Sequence, residues 1–153
     1  MQRQIRTSAK AVVIRDNKLL VLAMRDEDGL FYILPGGGQH ESESLPEAAM
    51  REVAEETGLQ VAADELLFAI EGIHGEDFHR VDLVFACREL GRSTAEHQGD
   101  HNQVGIAWLD LDNLNRAPLY PSKLRRPIMN YHQGKAYPRY LGNEEIGDPE
   151  ITD

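Results

Sequence analysis

LPGGGQHESESLPEAAMREVAEETGL, from Leu34 to Leu59, is the segment around which the rest of this chain is organised. It opens with a proline and three glycines, crosses a polar turn and continues as a helix. Ser44 or Ser42 can cap the first turn of that helix, and Gly58 can end the last. The sequence therefore predicts a glycine-rich loop that leads directly into a helix, with the rest of the chain arranged to position the two.

The predicted helix carries three glutamates close together. At about 100° per residue, Glu52, Glu55 and Glu56 share one face, while Val53 and Met50 point elsewhere. Three like charges at this spacing repel one another, so a helix that keeps them together is expected to hold a divalent cation. Hard oxygen ligands suit Mg²⁺ or Mn²⁺. For a charge cluster alone, the alternative is a solvated acidic helix behind a glycine-rich turn.

The spacing of the whole stretch is more specific than its charge. It is Gly37, five residues, Glu43, seven residues, Arg51-Glu52-Val53, one residue, Glu55-Glu56, one residue, Gly58-Leu59. At every position this resembles the signature of the Nudix (MutT-type) hydrolases, G-x5-E-x7-R-E-U-x-E-E-x-G-U, with U a bulky aliphatic residue. The resemblance implies an α/β fold, the Nudix-type α/β/α sandwich around a mixed sheet. It also implies a hydrolase that acts on phosphoanhydride bonds with Mg²⁺, or Mn²⁺, as cofactor.

Within the motif, the resemblance assigns roles to individual residues. It places the metal ligands at four positions, namely the Gly37 carbonyl, Glu52, Glu55 and Glu56. It makes Arg51, Glu52 and Glu55 the catalytic set, in which a glutamate acts on the attacking water. Arg51 lies beside the acidic face, where it can pair with Glu43 or Glu55 and orient the carboxylates.

Residues outside the motif supply weaker candidates. Arg25 follows a predicted strand close to the motif and suits a phosphate contact, although most surface arginines have no such role. Tyr32 and Phe78, with Phe31, are the aromatic candidates for stacking on a base.

An acid from a loop is a further candidate. Many Nudix enzymes add a carboxylate shortly before a late tryptophan, here Trp108, but the near positions are Asn102 and Gln103, which cannot take a proton. We therefore expect Glu96 or Asp100, in the polar loop from Gly91 to Val104, to complete the site on closure. The alternative is that Glu52 acts alone on the water.

The flanking sequence predicts strands on both sides of the motif. Apolar runs from Ala9 to Ile14 and from Lys18 to Met24 flank Asp16-Asn17, a good two-residue hairpin turn. Further extended segments are expected at Leu30 to Leu34, Leu59 to Ala63, Leu66 to Ile73, Val81 to Cys87 and Gly105 to Leu109. Pro127 is expected to kink or divide a helical segment from Pro121 to Gln133.

The composition fits one compact domain. The chain has 153 residues, 41% of them hydrophobic, and a net charge of −10 from 26 acidic and 16 basic residues. This balance argues against a nucleic-acid polymer or an anionic membrane surface as partner, and leaves a small-molecule nucleotide whose phosphates are neutralised by metal. The single cysteine, Cys87, excludes an internal disulfide, and Met1 to Lys10 contains no apolar signal-peptide core. We expect a cytoplasmic protein.

The chain end differs in composition from the rest. Residues 142–153 are acidic and poor in apolar side chains, so we expect a Nudix domain over 1–141 and a loosely ordered tail beyond it. The sequence leaves the oligomeric state open, a homodimer included.

The predicted function is that of a metal-dependent pyrophosphohydrolase. It would cleave the diphosphate linkage of a nucleoside diphosphate derivative, such as a nucleotide or nucleotide sugar, by water attack on phosphorus. A non-catalytic nucleotide-binding or regulatory module with the same fold is the alternative. Subfamilies that hydrolyse ADP-ribose often carry a proline about sixteen residues beyond the motif, and this chain has none between Pro46 and Pro118. The substrate class is therefore predicted only as far as the nucleoside diphosphate.

Overall fold

The computed structural model describes residues 4–74, 77–92 and 103–144. Its strands are β1 (Ile5–Arg15), β2 (Lys18–Asp26), β3 (Gly29–Ile33), β4 (Gly36–Gly38), β5 (Leu59–Gly72), β6 (His79–Arg92), β7 (Gln103–Asp110) and β8 (Tyr140–Asn143). Its helices are α1 (Leu45–Thr57) and α2 (Arg125–His132), with 3-10 turns at Leu111–Arg116 and Ser122–Leu124. None of the described helices is long and apolar enough to cross a bilayer.

The predicted hairpin joins β1 and β2. Asp16 and Asn17 both have positive φ, 51° and 63°, as a two-residue type I′ turn requires. The two strands pair only beside this turn and then separate. From there β2 pairs with β3 and β7, whereas β1 pairs with β4 and β6. The hairpin thus connects the β2–β3–β7 part of the sheet to the β1–β4–β6 part.

The sheet is mixed and covered on both faces. β1 runs parallel to β6 and β5 runs parallel to β8, while β5 and β6 are antiparallel. Because successive side chains point to opposite faces, β1 contributes Ala9, Ala11 and Val13 to an apolar layer under α1. It contributes Val12 to a second layer under α2. The predicted α/β/α sandwich around a mixed sheet is confirmed.

Two local predictions differ from the structure. The two expected segments after α1 form one strand, β5, with register shifts that bend it along β6. The kink expected at Pro127 is wrong, because Pro127 lies in the first turn of α2, where the missing backbone N–H is not needed. The helical segment does divide into two short pieces, but the division falls at Arg125.

The last described residues are part of the sheet. β8 crosses the predicted boundary between residues 141 and 142. Asn143 accepts a hydrogen bond from the backbone N–H of Ile73 at 2.8 Å, and the Glu144 carboxylate pairs with Arg80. The sheet therefore includes residues on both sides of that boundary, and residues 145–153 lie outside the described part of the chain.

Candidate active site

Helix α1 is defined at both ends by the residues that the sequence supplies. Ser44 is the N-cap, and its hydroxyl accepts a hydrogen bond from the Glu47 N–H at 3.2 Å. The Glu47 carboxylate in turn accepts from the Ser44 N–H at 2.9 Å, which completes a capping box. Gly58 ends the helix with φ of 75°. Because Val53 and Ala49 are fully buried, the opposite, acidic face of α1 is turned away from the core.

Strand β4 consists only of glycines, and two of them have no room for a side chain. A Cβ on Gly36 would lie 2.2 Å from the Ala9 carbonyl oxygen, on a backbone with φ of 142°. A Cβ on Gly37 would lie 2.6 Å from Cδ of Glu52. The close pairing of β4 with β1 therefore requires Gly36, and the contact between backbone and carboxylate requires Gly37.

The three glutamates, which we call the carboxylate cluster, differ in their surroundings. Glu56 is 8% exposed, and its Oε1 accepts a hydrogen bond from the Gly36 N–H at 2.8 Å. The Glu52 carboxylate lies against Gly37, and Glu55 is the most exposed of the three, at 33% of its side chain. The cluster is thus held between α1 and the backbone of β4.

Arg51 binds the carboxylates together. Its guanidinium donates to both oxygens of Glu43, at 2.6 and 3.1 Å, and to the Gly38 carbonyl at 3.0 Å. It also donates to Glu52 Oε1 at 3.0 Å and to Glu55 Oε2 at 3.3 Å. The sequence predicted a pair with Glu43 or Glu55, and the structure contains both.

These bonds change the acidity of the groups that make them. The hydrogen bond from Arg51, with a second from the His40 N–H, lowers the pKa of Glu43 from 4.5 to about 2. The bond to Glu43, against the opposing effect of burial, raises the pKa of Arg51. Glu43 therefore stays ionised over the whole range in which most proteins work, and Arg51 keeps a fixed position.

The donor set suits a hard divalent cation. Glu52 Oε2 and Glu55 Oε1 form no hydrogen bond with any described residue, whereas the other oxygen of each is held by Arg51. Within the described ranges, no three Asp, Glu, His or Cys side chains converge as ligands of one metal. Arg51 holds one oxygen each of Glu52 and Glu55, and the Gly36 N–H holds one oxygen of Glu56. Two carboxylate oxygens nevertheless remain available as ligands, and hard oxygen donors are those that Mg²⁺ prefers.

A cavity of about 280 Å³ lies on the α2 side of the sheet, close to β4. This volume is near the lower end of ligand pockets, which are about 300–1,000 Å³. We call it the sheet cavity. It is lined by Lys10, Ile33, Leu34, Ile70, Arg80, Asp82, Val84, Tyr120, Pro121, Leu124 and Glu144. Lys10 connects it to β4, because a Cβ on Gly36 would lie 2.8 Å from Cδ of Lys10.

The comparisons with known proteins identify the family. The family model of the NUDIX domain matches residues 5–130. The chain belongs to the Nudix hydrolases. It is 31% identical to a MutT-like protein of Streptomyces ambofaciens, over 84% of this chain and 84% of that protein. It is 27% identical to an ADP-ribose pyrophosphatase of Methanocaldococcus jannaschii, over 80% of this chain and 72% of that protein.

Solved structures agree on the fold. A NUDIX hydrolase from Nitrosomonas europaea superposes with a TM-score of 0.72 at 22% identity, covering 88% of this chain and 93% of that one. A UDP-X diphosphatase superposes with a TM-score of 0.68 at 20% identity, covering 92% and 68%. As a Nudix hydrolase, the chain acts on phosphoanhydride bonds, and enzymes of this family act on small nucleotide substrates.

The Nudix motif residues named from the sequence lie together around Arg51, whereas the described candidates outside the motif lie elsewhere. Arg25 is exposed at the end of β2. Tyr32 packs against the apolar core under α2, and the Phe78 ring lies under Arg6 at 4.8 Å. None of the three is among the described residues that line the sheet cavity. Glu96 and Asp100 lie outside the described residues, so the loop acid stays a prediction.

Sequence reasoning missed the polar residues of the sheet cavity. Lys10 stands between buried Ala9 and Ala11 in β1, and Asp82 precedes an apolar run in β6. A charged residue inside a predicted buried strand is a signal that could have found both. Tyr120, also missed, is 39% exposed and presents an aromatic ring at the cavity wall.

Proposed function

We propose that this Nudix hydrolase is a metal-dependent pyrophosphohydrolase that cleaves the diphosphate linkage of a nucleoside diphosphate derivative by water attack on phosphorus. The observation that carries the proposal is the placement of β4. On one side of this glycine strand lies the carboxylate cluster, against Gly37 and Gly36. The sheet cavity lies on the other side of this strand. Lys10 lines the cavity, and its side chain also contacts Gly36. The backbone of β4 thus contacts Lys10 at Gly36 and the Glu52 carboxylate at Gly37.

The residues that would hold Mg²⁺ or Mn²⁺ are those of the carboxylate cluster, with the Gly37 carbonyl. When bound, the metal supplies charge neutralisation for phosphate oxygens and a lower pKa for its water. Arg51 fixes the orientation of Glu52 and Glu55 by bonding to one oxygen of each. The proton of the attacking water goes to a carboxylate of the cluster, and we assign this role of general base to Glu52. Glu43 holds Arg51 in place and does not touch the reacting atoms.

The lining of the sheet cavity supports a nucleoside diphosphate derivative as the class of substrate. Its walls combine apolar side chains with one aromatic ring and a few polar groups, as binding sites for small organic molecules do. A nucleoside, with its flat base and polar edge, suits this lining. Two proteins similar to this chain carry the names ADP-ribose pyrophosphatase and UDP-X diphosphatase, both of which imply a nucleoside diphosphate joined to another group.

The test is turnover of a panel with Mg²⁺, with Mn²⁺ and in excess chelator. The panel contains nucleoside triphosphates, ADP-ribose, sugar nucleotides and dinucleoside polyphosphates, and the product measured is a nucleoside monophosphate. We expect turnover with millimolar Mg²⁺ and none in chelator. Glu52→Gln should lower kcat about a hundredfold, or ~2.7 kcal/mol.

Glu65→Gln is the matched control, because Glu65 is an exposed carboxylate on β5 outside the cluster. Its rate should stay within twofold of the unmodified protein. Full activity in chelator, with metal verified absent, would exclude the metal mechanism. Ligands that raise the melting temperature without any product would instead indicate a nucleotide-binding module.

A further inference from the structure

Most polar side chains that line the sheet cavity are paired with one another. Asp82, only 3% exposed, accepts hydrogen bonds from the Ser8 hydroxyl and, at 2.7 Å, from Nε of Arg80. Arg80 also pairs through Nη2 with the Glu144 carboxylate. One guanidinium is thus shared by two carboxylates, and these groups satisfy one another. They offer a ligand polar atoms but no unpaired positive charge.

Lys10 is different. It lines the same cavity and is half-buried, yet it forms no hydrogen bond or ion pair with any described residue. Its neighbours along β1, Ala9 and Ala11, are fully buried. Among the described residues, the buried side-chain nitrogens without a partner do not include Nζ of Lys10, so its ammonium is hydrated and free to bind an anion. A phosphate that replaces this water would gain a charge-assisted hydrogen bond.

The position of Lys10 indicates which part of a ligand would supply the charge. In the register of β1 and β4, Lys10 pairs with Gly36, and the adjacent pair is Ala9 with Gly37. Cδ of Lys10 lies over Gly36, and the Glu52 carboxylate lies against Gly37. The lysine therefore stands where the cavity meets the backbone that carries the carboxylate cluster. A group that extends from the cavity past Gly36 would therefore lie near Lys10.

We propose that Lys10 binds the phosphate attached to the nucleoside of the substrate and positions the diphosphate at the carboxylate cluster. This rests on the function proposed above and adds the residue that distinguishes a nucleotide from a nucleoside. The neutral nucleoside occupies the sheet cavity, where the paired Arg80, Asp82 and Glu144 face its polar edge. Lys10 contributes the charge-assisted contact, which is stronger than a neutral hydrogen bond.

The experiment measures binding in excess chelator, without turnover, by calorimetry. The probes are AMP, GMP, CMP and UMP, each compared with its own nucleoside. We expect at least one monophosphate to bind the unmodified protein tenfold or more tightly than its nucleoside. Lys10→Met has a side chain of similar length without the charge. It should weaken the binding of that monophosphate about tenfold, or 1.4 kcal/mol, and change the affinity for the nucleoside less than twofold. Lys10→Arg should keep most of the preference.

Lys18→Met is the matched control, since Lys18 is an exposed lysine at the start of β2 and should change neither affinity. Melting temperatures of all variants establish that each is folded. On whichever panel compound is hydrolysed, Lys10→Met should raise KM about tenfold and leave kcat within threefold. The proposal would be overturned if Lys10→Met lost affinity equally for nucleotide and nucleoside. It would also be overturned if the unmodified protein bound no monophosphate more tightly than its nucleoside. A Lys10-dependent preference without turnover of any panel compound would support it and overturn the proposed hydrolysis.

Discussion

At the scale of single residues, the geometry of Arg51 explains why the Nudix motif needs arginine at this position. The planar guanidinium donates to Glu43 through two nitrogens and still reaches Glu52, Glu55 and the Gly38 carbonyl. A lysine ammonium has three donors on a single atom and could not span these acceptors. The arginine therefore sets the positions of three carboxylates at once.

The Glu43 pair predicts an acid-dependent stability. Because the pKa of Glu43 is about 2 in the folded protein and 4.5 ordinarily, its contribution is fully present above about pH 4.5 and is lost as the pH falls towards 2. At pH 6 in chelator, Glu43→Gln should lower the free energy of unfolding by about 1 kcal/mol, or ~2–4 °C in melting temperature. Thermal unfolding from pH 2 to 7 measures the difference, which should shrink to zero near pH 2. Glu41→Gln, an exposed neighbour, is the control, and a pH-independent difference at Glu43 would refute the assignment.

Residue-scale prediction from sequence succeeded where the contacts are local. Arg51, Glu52 and Glu55 are within one helix turn of one another, so their proximity follows from helix periodicity alone. Lys10 and Gly36 meet only through the register of two strands that are distant in sequence. No periodicity encodes that register, which explains why the cavity residues were missed.

At the scale of elements, α1 positions the carboxylate cluster because its ends are fixed. The capping box satisfies N–H groups at the N-terminus, and buried Ala48, Ala49 and Val53 fix its rotation about its axis. These features were predicted from the sequence, which has a serine before the helix and a glycine after it. Strand β4 was not, since glycines have low strand propensity and only tight pairing with β1 makes them a strand.

Removal of the cap should destabilise the helix without displacing the site. Ser44→Ala loses the hydrogen bond to the Glu47 N–H and should cost about 1 kcal/mol, or ~2–4 °C in melting temperature. Activity well below the melting temperature should stay within threefold, because the cluster lies in the second half of α1. Thermal unfolding and kcat measure the two effects. Glu47→Gln can keep the hydrogen bond to the Ser44 N–H, so it should lower the free energy of unfolding by less than half as much. If Ser44→Ala were as stable as the unmodified protein, the cap would contribute nothing.

At the scale of the whole molecule, the last described residues pack back onto the sheet beside the proposed substrate site, and this packing closes the fold. β8 joins the edge of the sheet next to β5, and the Glu144 N–H donates to the Glu71 carbonyl at 2.8 Å. Lys123, just before α2, donates to the Asn143 carbonyl at 2.7 Å. From composition alone, residues from 142 onwards were predicted to form a loose tail, because few of them are apolar. Composition does not show the backbone hydrogen bonds that this segment forms with β5 and Lys123. The sandwich and its layers followed from the Nudix resemblance, whereas this closure needed the three-dimensional structure.

The closure predicts that two shortened chains differ sharply. A chain that ends at Glu144 keeps β8, whereas one that ends at Arg139 loses its pairing with β5, the Lys123 contact and the carboxylate on Arg80. With a few hydrogen bonds at about 0.5–1.5 kcal/mol each, the shorter chain should lose roughly 2–4 kcal/mol, or ~5–10 °C in melting temperature. It should also bind nucleosides more weakly, because Arg80 and Asp82 line the sheet cavity beside the missing strand. In the chain that ends at Glu144, Glu144→Gln removes the carboxylate on Arg80 but keeps β8. It should reproduce only a minor part of the stability that the shorter chain loses. Melting temperatures of the two chains within 1 °C of each other would show that β8 adds no stability, and the domain would then end where its composition changes.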